Sequence, residues 1–135
     1  MKIIFIGGNG RFGKIFKKFS KMKNILYPNK KKFNILNINS IKSFIIKNKP
    51  KILIHAAGLS RPMNVHEKNI IQSIDKNIIG TCNLVKICSI YRVKIIYLST
   101  NYVYPGKRGN YKENDSLLPF NNYAWSKLGG ECAVQ

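Results

Sequence analysis

The sequence predicts an α/β fold, a doubly wound parallel sheet covered by helices. Two observations lead to this prediction. Short runs of β-branched and other apolar residues alternate with longer amphipathic segments along the 135 residues. A glycine-rich stretch, GGNGRFGK at residues 7–14, stands between the first apolar run and the first amphipathic segment. No linker and no internal repeat interrupts the chain, so we expect one domain over residues 1–135.

Five apolar runs are predicted as strands, and where the run is continuous it indicates burial on both faces of the sheet. They are KIIFI (2–6), NILY (24–27), KFNILNI (32–38), KILIHAA (51–57) and VKIIYLS (93–99).

Helices are predicted at residues 11–22, at 40–49 and over a long segment from about 66 to 91, and a last helix begins near Asn122. The long segment carries a stripe at steps of three and four residues. Its members are Ile71, Ile74, Ile78, Thr81, Val85 and Cys88. About twenty residues separate the last strand from the last helix, and loops of that length are uncommon unless they are functional or disordered.

The formal net charge of +19 raises the hypothesis of nucleic-acid binding, because clustered Lys and Arg release counterions from phosphates. The lysines are scattered, however, with a single run at residues 30–32 and no aromatic-interleaved basic stripe. Ile, Lys and Asn make up 57 of the 135 residues, and their A/T-rich codons account for the lysines without selection for binding. We therefore expect no nucleic-acid partner, and a surface that attracts anionic cofactors and substrates.

Targeting and metal-binding signals are absent from the sequence. No apolar run approaches the roughly 18 residues that span a bilayer, and the run after Met1-Lys2 is too short for a signal peptide. We expect a cytoplasmic protein without a membrane partner. Cys82, Cys88 and Cys132 form no CxxC pair, so we expect reduced, mostly buried thiols and neither a disulfide framework nor a metal site.

Three nucleotide-binding patterns overlap in the glycine-rich stretch: GxGxxG from Gly8, GxxGxxG from Gly7, and the GxxxxGK of a P-loop. A P-loop needs Ser or Thr after its lysine to hold magnesium, and residue 15 is isoleucine. A dinucleotide loop needs no such ligand. Because the glycines follow a strand and open a helix, we favour a dinucleotide pyrophosphate at the helix N-terminus, with ordinary turn glycines as the alternative.

Tyr123 and Lys127 lie four residues apart in the last predicted helix and therefore share a helix face. An ammonium near the phenol favours the ionised form, which lowers the pKa of Tyr123 toward the range useful for proton transfer. Thr100, at the end of the last strand, is placed to hydrogen-bond the same substrate oxygen. The second YxxxK match, Tyr27 to Lys31, contains a proline that argues against a helix.

Five motifs in register give the chain a resemblance to the N-terminal part of an extended short-chain dehydrogenase/reductase, the family of NAD(P)-dependent sugar-nucleotide epimerases, dehydratases and reductases. They are the glycine loop, LIHAAG (53–58), NIIGTCNL (77–84), LSTNYVY (98–104) and YAWSKLGGE (123–131). Within the family the chain is most similar to the dTDP-4-dehydrorhamnose reductase branch. That branch usually has Asp at the position of Asn101 and Gly at that of Trp125.

The resemblance implies a Rossmann fold and an enzyme that acts on a nucleotide-linked sugar. By this resemblance Tyr123 is the general acid/base, and Lys127 lowers the pKa of Tyr123 and holds the nicotinamide ribose. Thr100 orients the substrate carbonyl. The residues it implies in cofactor binding are Gly7, Gly10, Arg11, Phe12, Gly13, Asn29, Lys30, Ala56, Ala57, Gly58, Asn77, Ser99, Tyr123 and Lys127.

Structural interpretations compete with functional ones at several of the motif residues. For His55, beside the implied cofactor channel, a structural histidine is the better interpretation. Asn77 is expected to pin backbone near the site, and Ser99 either caps the strand end or takes part in catalysis. Arg61 and His66 are interpreted as solvated loop charges rather than as ligands of a substrate phosphate.

Extended members of the family continue past the tyrosine-bearing helix with further strands and a substrate lobe, whereas this sequence stops at Gln135. The resemblance therefore implies an incomplete domain, for which we expect marginal stability or self-association, a homodimer included. Three functions compete: a catalytic reductase, epimerase or dehydratase; a non-catalytic dinucleotide-binding module or inactive fragment; and, distantly, a nucleic-acid-binding protein.

The cofactor expected from the sequence is NADP in preference to NAD. The first acidic residue is Glu67, so the acid that binds the ribose 2′-hydroxyl of NAD, about 20 residues past the glycines, is missing. Asn29 and the lysines 30–32 stand there and offer a donor and positive charge to a 2′-phosphate. A second interpretation has the lysines point to solvent while Asn29 bonds a 2′-hydroxyl, which allows both cofactors.

Overall fold

The computed structural model describes residues 1–135, and its centre is a parallel sheet of four strands. The strands are β1 (Ile3–Ile6), β2 (Ile25–Leu26), β3 (Ile52–His55) and β4 (Lys94–Tyr97), in the order β2-β1-β3-β4. The chain moves outward from β1 to β2 and then crosses back to β3. Between β1 and β3 this creates a switch point, the place where open α/β sheets bind ligands. The predicted fold class is confirmed.

Four of the five predicted strands form, and the strand predicted at 32–38 is wrong. Its asparagines bond the local backbone: Asn34 Oδ1 accepts from the Leu36 N–H at 3.1 Å, and Asn37 Oδ1 accepts from the Ser40 N–H at 3.0 Å. Bonds of this kind compete with a sheet ladder and favour turns and helix caps. The segment is therefore a turn that leads into a capped helix.

Six helices surround the sheet. They are α1 (Arg11–Phe19), α2 (Ile38–Asn48), α3 (Asn64–Lys68), α4 (Ile70–Ser73), α5 (Gly80–Ile90) and α6 (Asn122–Val134), with a π-helical turn at Ile74–Ile79 and a 3₁₀ turn at Asn101–Val103. α1 ends before the predicted residue 22, because Ser20 leaves the helix with extended backbone. The long loop predicted between the last strand and the last helix is confirmed.

The single helix predicted over 66–91 is wrong, since the segment is broken into α3, α4, the π-helical turn and α5. The break lies at Asn69, whose backbone is not helical and whose side chain caps α4. The π-helical turn then shifts the phase of the residues that follow it. The buried face consequently runs through Ser73, Asn77, Thr81, Leu84 and Cys88, while Ile71 of the predicted stripe is 66% exposed.

Apolar residues pack on both faces of the sheet. The larger cluster joins β1 and β3 to α2 and α5, through residues such as Ile4, Ile41 and Leu84. On the other face Phe5 stacks on Phe16 of α1, with ring centroids 4.8 Å apart. β1 is buried at every residue, as its continuous apolar run predicts.

Several apolar side chains on the α1 side of the molecule face outward, among them Phe12, Ile15 and Phe19 of α1 and Ile96 of β4. These residues offer the surface through which self-association would occur, and self-association stays a prediction. No helix combines the length and the apolar character needed to cross a membrane.

The expectation of mostly buried thiols is wrong, since Cys88 is buried whereas Cys82 and Cys132 are exposed. Cys82 is exposed because Thr81 and Leu84 lie on the buried face of α5, and Cys82, between them in sequence, lies on the opposite face.

Candidate functional site

The glycine-rich loop joins the end of β1 to the start of α1, as predicted. Gly7 has a φ of +95°, a conformation that side chains rarely adopt, and a Cβ there would collide with the carbonyl group of Ala56. A Cβ on Gly13 would collide with the Gly7 carbonyl and lie 2.6 Å from Gly8 Cα. The glycines therefore allow α1 to pack directly against the loop and the loop against the end of β3.

The N-terminus of α1 is open to an anion. Gly10 is its N-cap residue, no side chain bonds the first N–H groups, and no acidic residue lies in the first turn. The first N–H groups of a helix have no partner within it, and the helix dipole favours negative charge there. Arg11 and Phe12 have exposed side chains that do not line the adjoining cavity.

A cavity of about 240 Å³ adjoins the glycine loop at the switch point between β1 and β3. Its walls come from the glycine loop, the turn after β2, the segment after β3 and the π-helical turn. The predicted cofactor residues that line it are Gly7, Gly10, Asn29, Lys30, Ala57 and Gly58. The cavity fits a dinucleotide. It combines the backbone of the glycine-rich loop, the open N-terminus of α1 and a partly apolar wall that includes Phe33 and Leu36.

The basic residues at this cavity differ from those that the sequence suggests. Of the three consecutive lysines only Lys30 lines the cavity, and the Asn29 Oδ1 atom accepts from the Lys32 N–H at 3.1 Å, which shapes the turn. Lys76, which the sequence did not indicate, also lines the cavity and donates from Nζ to Gln72 Oε1 at 3.2 Å. Its place depends on the π-helical turn, for which the sequence holds no clear signal.

Tyr123 lies in the first turn of α6 and is half-buried beside Thr100. Burial raises the pKa of the Tyr123 phenol, whereas the nearby Thr100 hydroxyl and the charge of Arg61 lower that pKa, and Tyr102 raises it. The net direction is upward, opposite to the direction predicted from the sequence. The proximity of Tyr123 to Thr100 was predicted.

Lys127 is buried, and its ammonium is directed at the end of β4. Nζ donates to the Leu98 carbonyl at 2.6 Å and lies 4.0 Å from the centroid of the Tyr97 ring. Burial lowers the pKa of Lys127 to about 8, against the opposing effect of Glu131. The shared helix face of Tyr123 and Lys127 is confirmed, but the strand-end carbonyl is the partner that the ammonium binds.

Asn77 pins the backbone near the site, as predicted. Its side-chain amide accepts from the Leu59 N–H at 2.7 Å and donates to the Leu59 carbonyl at 2.9 Å. The same amide donates to Ser126 Oγ at 2.9 Å, and that hydroxyl donates to the Tyr123 carbonyl at 2.7 Å. One buried side chain therefore ties the segment after β3 to the helix that carries Tyr123.

His55 and Ser99 both make structural contacts. Thr81 donates its hydroxyl proton to the Asn77 carbonyl at 2.8 Å, so the His55 Nε2 atom, 3.0 Å from that hydroxyl oxygen, is the protonated ring nitrogen. Burial lowers the pKa of His55 to about 3, in keeping with the structural interpretation. Ser99 donates its hydroxyl to the Glu131 carboxylate and thus joins the end of β4 to α6.

His66 is fully buried, so its interpretation as a solvated loop charge is wrong. Its Nδ1 atom lies 2.7 Å from Ser73 Oγ, and its ring lies 4.9 Å from the Tyr123 ring between centroids. The cause is the packing of α3 against α6, whereas Arg61, which precedes α3, is exposed. The sequence contained no periodicity that would have revealed this contact.

Comparison with known proteins identifies the family. All 135 residues match the family model described as the RmlD substrate binding domain. The chain belongs to this family.

Solved structures similar to this RmlD-family chain include dTDP-4-dehydrorhamnose reductases. The enzyme from Bacillus anthracis, in complex with NADP, has a TM-score of 0.89 and 29% identity over 99% of this chain and 49% of its own. The enzyme from Clostridium acetobutylicum has a TM-score of 0.87 and 28% identity over the same shares. The resemblance to that branch is confirmed.

Curated relatives of this RmlD-family chain carry two different names. Methionine adenosyltransferase 2 subunit beta from Xenopus laevis is 34% identical over 101 residues, which are 75% of this chain and 30% of the relative. A dTDP-4-dehydrorhamnose reductase from Aggregatibacter actinomycetemcomitans is 27% identical over 96% of this chain and 45% of the relative. The chain thus spans less than half the length of these relatives.

Proposed function

We propose that this chain is the dinucleotide-binding and catalytic portion of an NADP-preferring reductase, epimerase or dehydratase that acts on a nucleotide-linked sugar. A dTDP-4-dehydrorhamnose reductase-like activity is the first candidate. The observation that carries the proposal is the proximity of the Tyr123 phenol to Thr100, at the same carboxyl edge of the sheet as the glycine-rich loop. Relatives that share this fold are sugar-nucleotide reductases.

A bound nicotinamide dinucleotide supplies or accepts the hydride in this chemistry. Tyr123 then handles the proton: its raised pKa keeps the phenol protonated near neutral pH, the form that donates to a carbonyl oxygen on its way to a hydroxyl. Thr100 donates a hydrogen bond to the same oxygen and orients the carbonyl. One N–H of the Lys127 ammonium bonds the Leu98 carbonyl, and its two further N–H groups bond the ribose hydroxyls.

Cofactor binding follows from the cavity. The pyrophosphate lies at the open N-terminus of α1, where Gly7, Gly10 and Gly13 leave room for it. Lys30 and Lys76 supply positive charge at the cavity wall, and no acidic residue lines the cavity to repel a 2′-phosphate. These contacts support a preference for NADP, as does the NADP complex of the Bacillus anthracis relative.

The test is hydride transfer with NADPH and NADH and a panel of dTDP- and UDP-linked keto-sugars, on this chain and on any longer form of the protein. We expect oxidation of NADPH with at least one dTDP-linked keto-sugar. Tight binding of NADPH with neither NADPH oxidation nor conversion of any sugar in the panel would contradict a catalytic function.

A second candidate is a non-catalytic dinucleotide-binding subunit. It is favoured by the curated relatives named as a beta subunit of methionine adenosyltransferase 2, at up to 34% identity. In this case the chain binds NADPH with the same contacts but no substrate turns over. The same assays, with the sugars analysed for conversion, separate the two candidates, because both bind cofactor and only the catalytic one converts a sugar.

A further inference from the structure

Glu67 is one of only five acidic residues in a chain with 24 basic ones, and it binds the start of α6. Its Oε1 atom accepts from the Asn122 N–H at 3.1 Å, and its Oε2 atom accepts from Asn122 Nδ2 at 2.6 Å. Asn122 is the first residue of α6 and immediately precedes Tyr123. The carboxylate therefore satisfies an N–H group that has no partner within the helix, at the end where the helix dipole favours negative charge.

The residue before it in α3 contacts Tyr123 itself. The His66 ring is tilted 58° to the Tyr123 ring with 4.9 Å between centroids, and no part of His66 is exposed. Ser73 Oγ, 2.7 Å from Nδ1, holds the imidazole against rotation. The His66 carbonyl also accepts from Asn122 Nδ2, at 3.4 Å. Two neighbouring residues of one short helix thus hold the backbone and the ring of the same segment.

We propose that α3 positions Tyr123 for proton transfer: Glu67 fixes the first residue of α6, and His66 fixes the plane of the phenol ring. The proposal rests on the proposed function, in which Tyr123 is the general acid. Neither side chain touches substrate, so both are positioning residues. A displacement of about 1 Å in a reacting group can lower the rate on the order of a hundredfold. Residues that hold the Tyr123 phenol in place therefore affect kcat.

The first test replaces His66 by alanine and by phenylalanine. We expect His66→Ala to lower kcat tenfold or more while KM for the cofactor changes less than twofold, because the ring that holds the phenol is lost. His66→Phe keeps an aromatic ring at the contact and is expected to retain most of the wild-type kcat. A His66→Phe variant as impaired as His66→Ala would overturn the assignment of His66 as a packing support.

The second measurement follows Tyr123 directly and needs no turnover. The phenol pKa is read from the ¹³Cζ resonance of labelled tyrosine in the 135-residue chain, assigned with Tyr123→Phe. The groups around the phenol that carry or gain charge are Arg61, His66, Glu67, Tyr97 and Tyr102. Lys127 lies one helical turn farther along α6, on the same face. Because burial raises this pKa, His66→Ala is expected to lower it toward the ordinary value of about 10, and His66→Phe to leave it in place. An unchanged titration in His66→Ala would overturn the proposal.

Glu67→Gln tests the second contact with a matched control. Glutamine retains an acceptor for the Asn122 N–H, but its amide NH₂ faces the Asn122 amide NH₂, so one bond is lost. We expect a several-fold loss in kcat and a changed Tyr123 ¹³Cζ shift. Glu113→Gln makes the same chemical change at an exposed loop residue, and both readouts should stay at wild-type values. If the two variants behave alike, Glu67 does not position α6.

Different results would contradict the proposed function and the positioning role of His66 and Glu67. A wild-type protein that binds NADPH and turns nothing over defeats the proposed function, whatever the Tyr123 titration shows. A wild-type protein that turns over, with His66→Ala and Glu67→Gln at wild-type kcat, defeats the positioning role and leaves the proposed function intact.

Discussion

The ammonium of Lys127 donates a 2.6 Å hydrogen bond to the carbonyl of Leu98. Lys127 is only 7% exposed, in a chain whose net charge is +19, and its buried ammonium pays a desolvation cost that lowers its pKa to about 8. The bond anchors α6 to the end of β4 at the point where the proposed ribose would lie. This one contact therefore links the stability of the domain to the chemistry of the site.

The buried lysine predicts a rise in stability with pH. Its pKa is about 8 in the folded chain and about 10.5 when unfolded, so between these values the unfolded chain binds more protons and the free energy of unfolding rises with pH. Below pH 8 the full cost, on the order of 3 kcal/mol, is present. We expect the free energy of unfolding of the wild type, relative to Lys127→Met, to increase by about 2 kcal/mol between pH 7.5 and 9.5 in urea titrations. A difference that stays flat over this range would show that the lysine is solvated.

Replacement of Tyr123 by phenylalanine is expected to abolish turnover, with a loss of about a hundredfold to ten-thousandfold in kcat, because the phenol hydroxyl carries the proton. NADPH affinity should stay within twofold of wild type, since the hydroxyl serves proton transfer and the ring remains. Steady-state kinetics and fluorescence titration of NADPH measure the two effects. Tyr91→Phe, at an exposed position after α5, is the matched control and should leave both unchanged.

The preference for NADPH should depend on Lys30 and far less on its neighbour. Lys30→Ala is expected to weaken NADPH binding about tenfold and to leave NADH binding nearly unchanged, because the 2′-phosphate is the group that the charge contacts. Lys31→Ala removes the same charge from a side chain that does not line the cavity, and is expected to have little effect. Calorimetric titrations at two salt concentrations provide the measurement. If the preference for NADPH over NADH changes neither with salt concentration nor in Lys30→Ala, groups other than Lys30 determine cofactor choice.

Gly13→Ala should distort the glycine-rich loop. The new methyl group would collide with the Gly7 carbonyl and with Gly8 Cα, both of them backbone that has to move. We expect a loss of about 1–3 kcal/mol in the free energy of unfolding and at least a tenfold loss in dinucleotide affinity. Gly109→Ala is the matched control, because a Cβ there meets nothing within 4 Å and its φ is ordinary. Equal effects of the two substitutions on thermal unfolding and on NADPH titration would refute the close approach at Gly13.

Much of the framework follows from local pattern. The alternation of apolar runs with amphipathic segments predicts the parallel α/β sheet, since backbone periodicity decides which side chains share a face. The glycine loop and the Tyr123–Lys127 spacing are equally local, and each lies on the element predicted for it. Thr100 follows the end of β4, and it lies near Tyr123 because α6 packs against that end of the strand, where Lys127 binds the Leu98 carbonyl.

The sequence by itself therefore determined the class of fold and the glycine-rich loop, because covalent spacing and backbone period set these features. It also predicts the residues of the candidate active site. Only the tertiary structure decided that residues 32–38 form a turn, that Lys76 joins the cavity, that the Lys127 ammonium binds a strand-end carbonyl, and that His66 packs beneath Tyr123. Each of these depends on contacts between residues far apart in the chain or on the phase shift at the π-helical turn. Such contacts are set by how the helices pack on the sheet, and no local spacing encodes them.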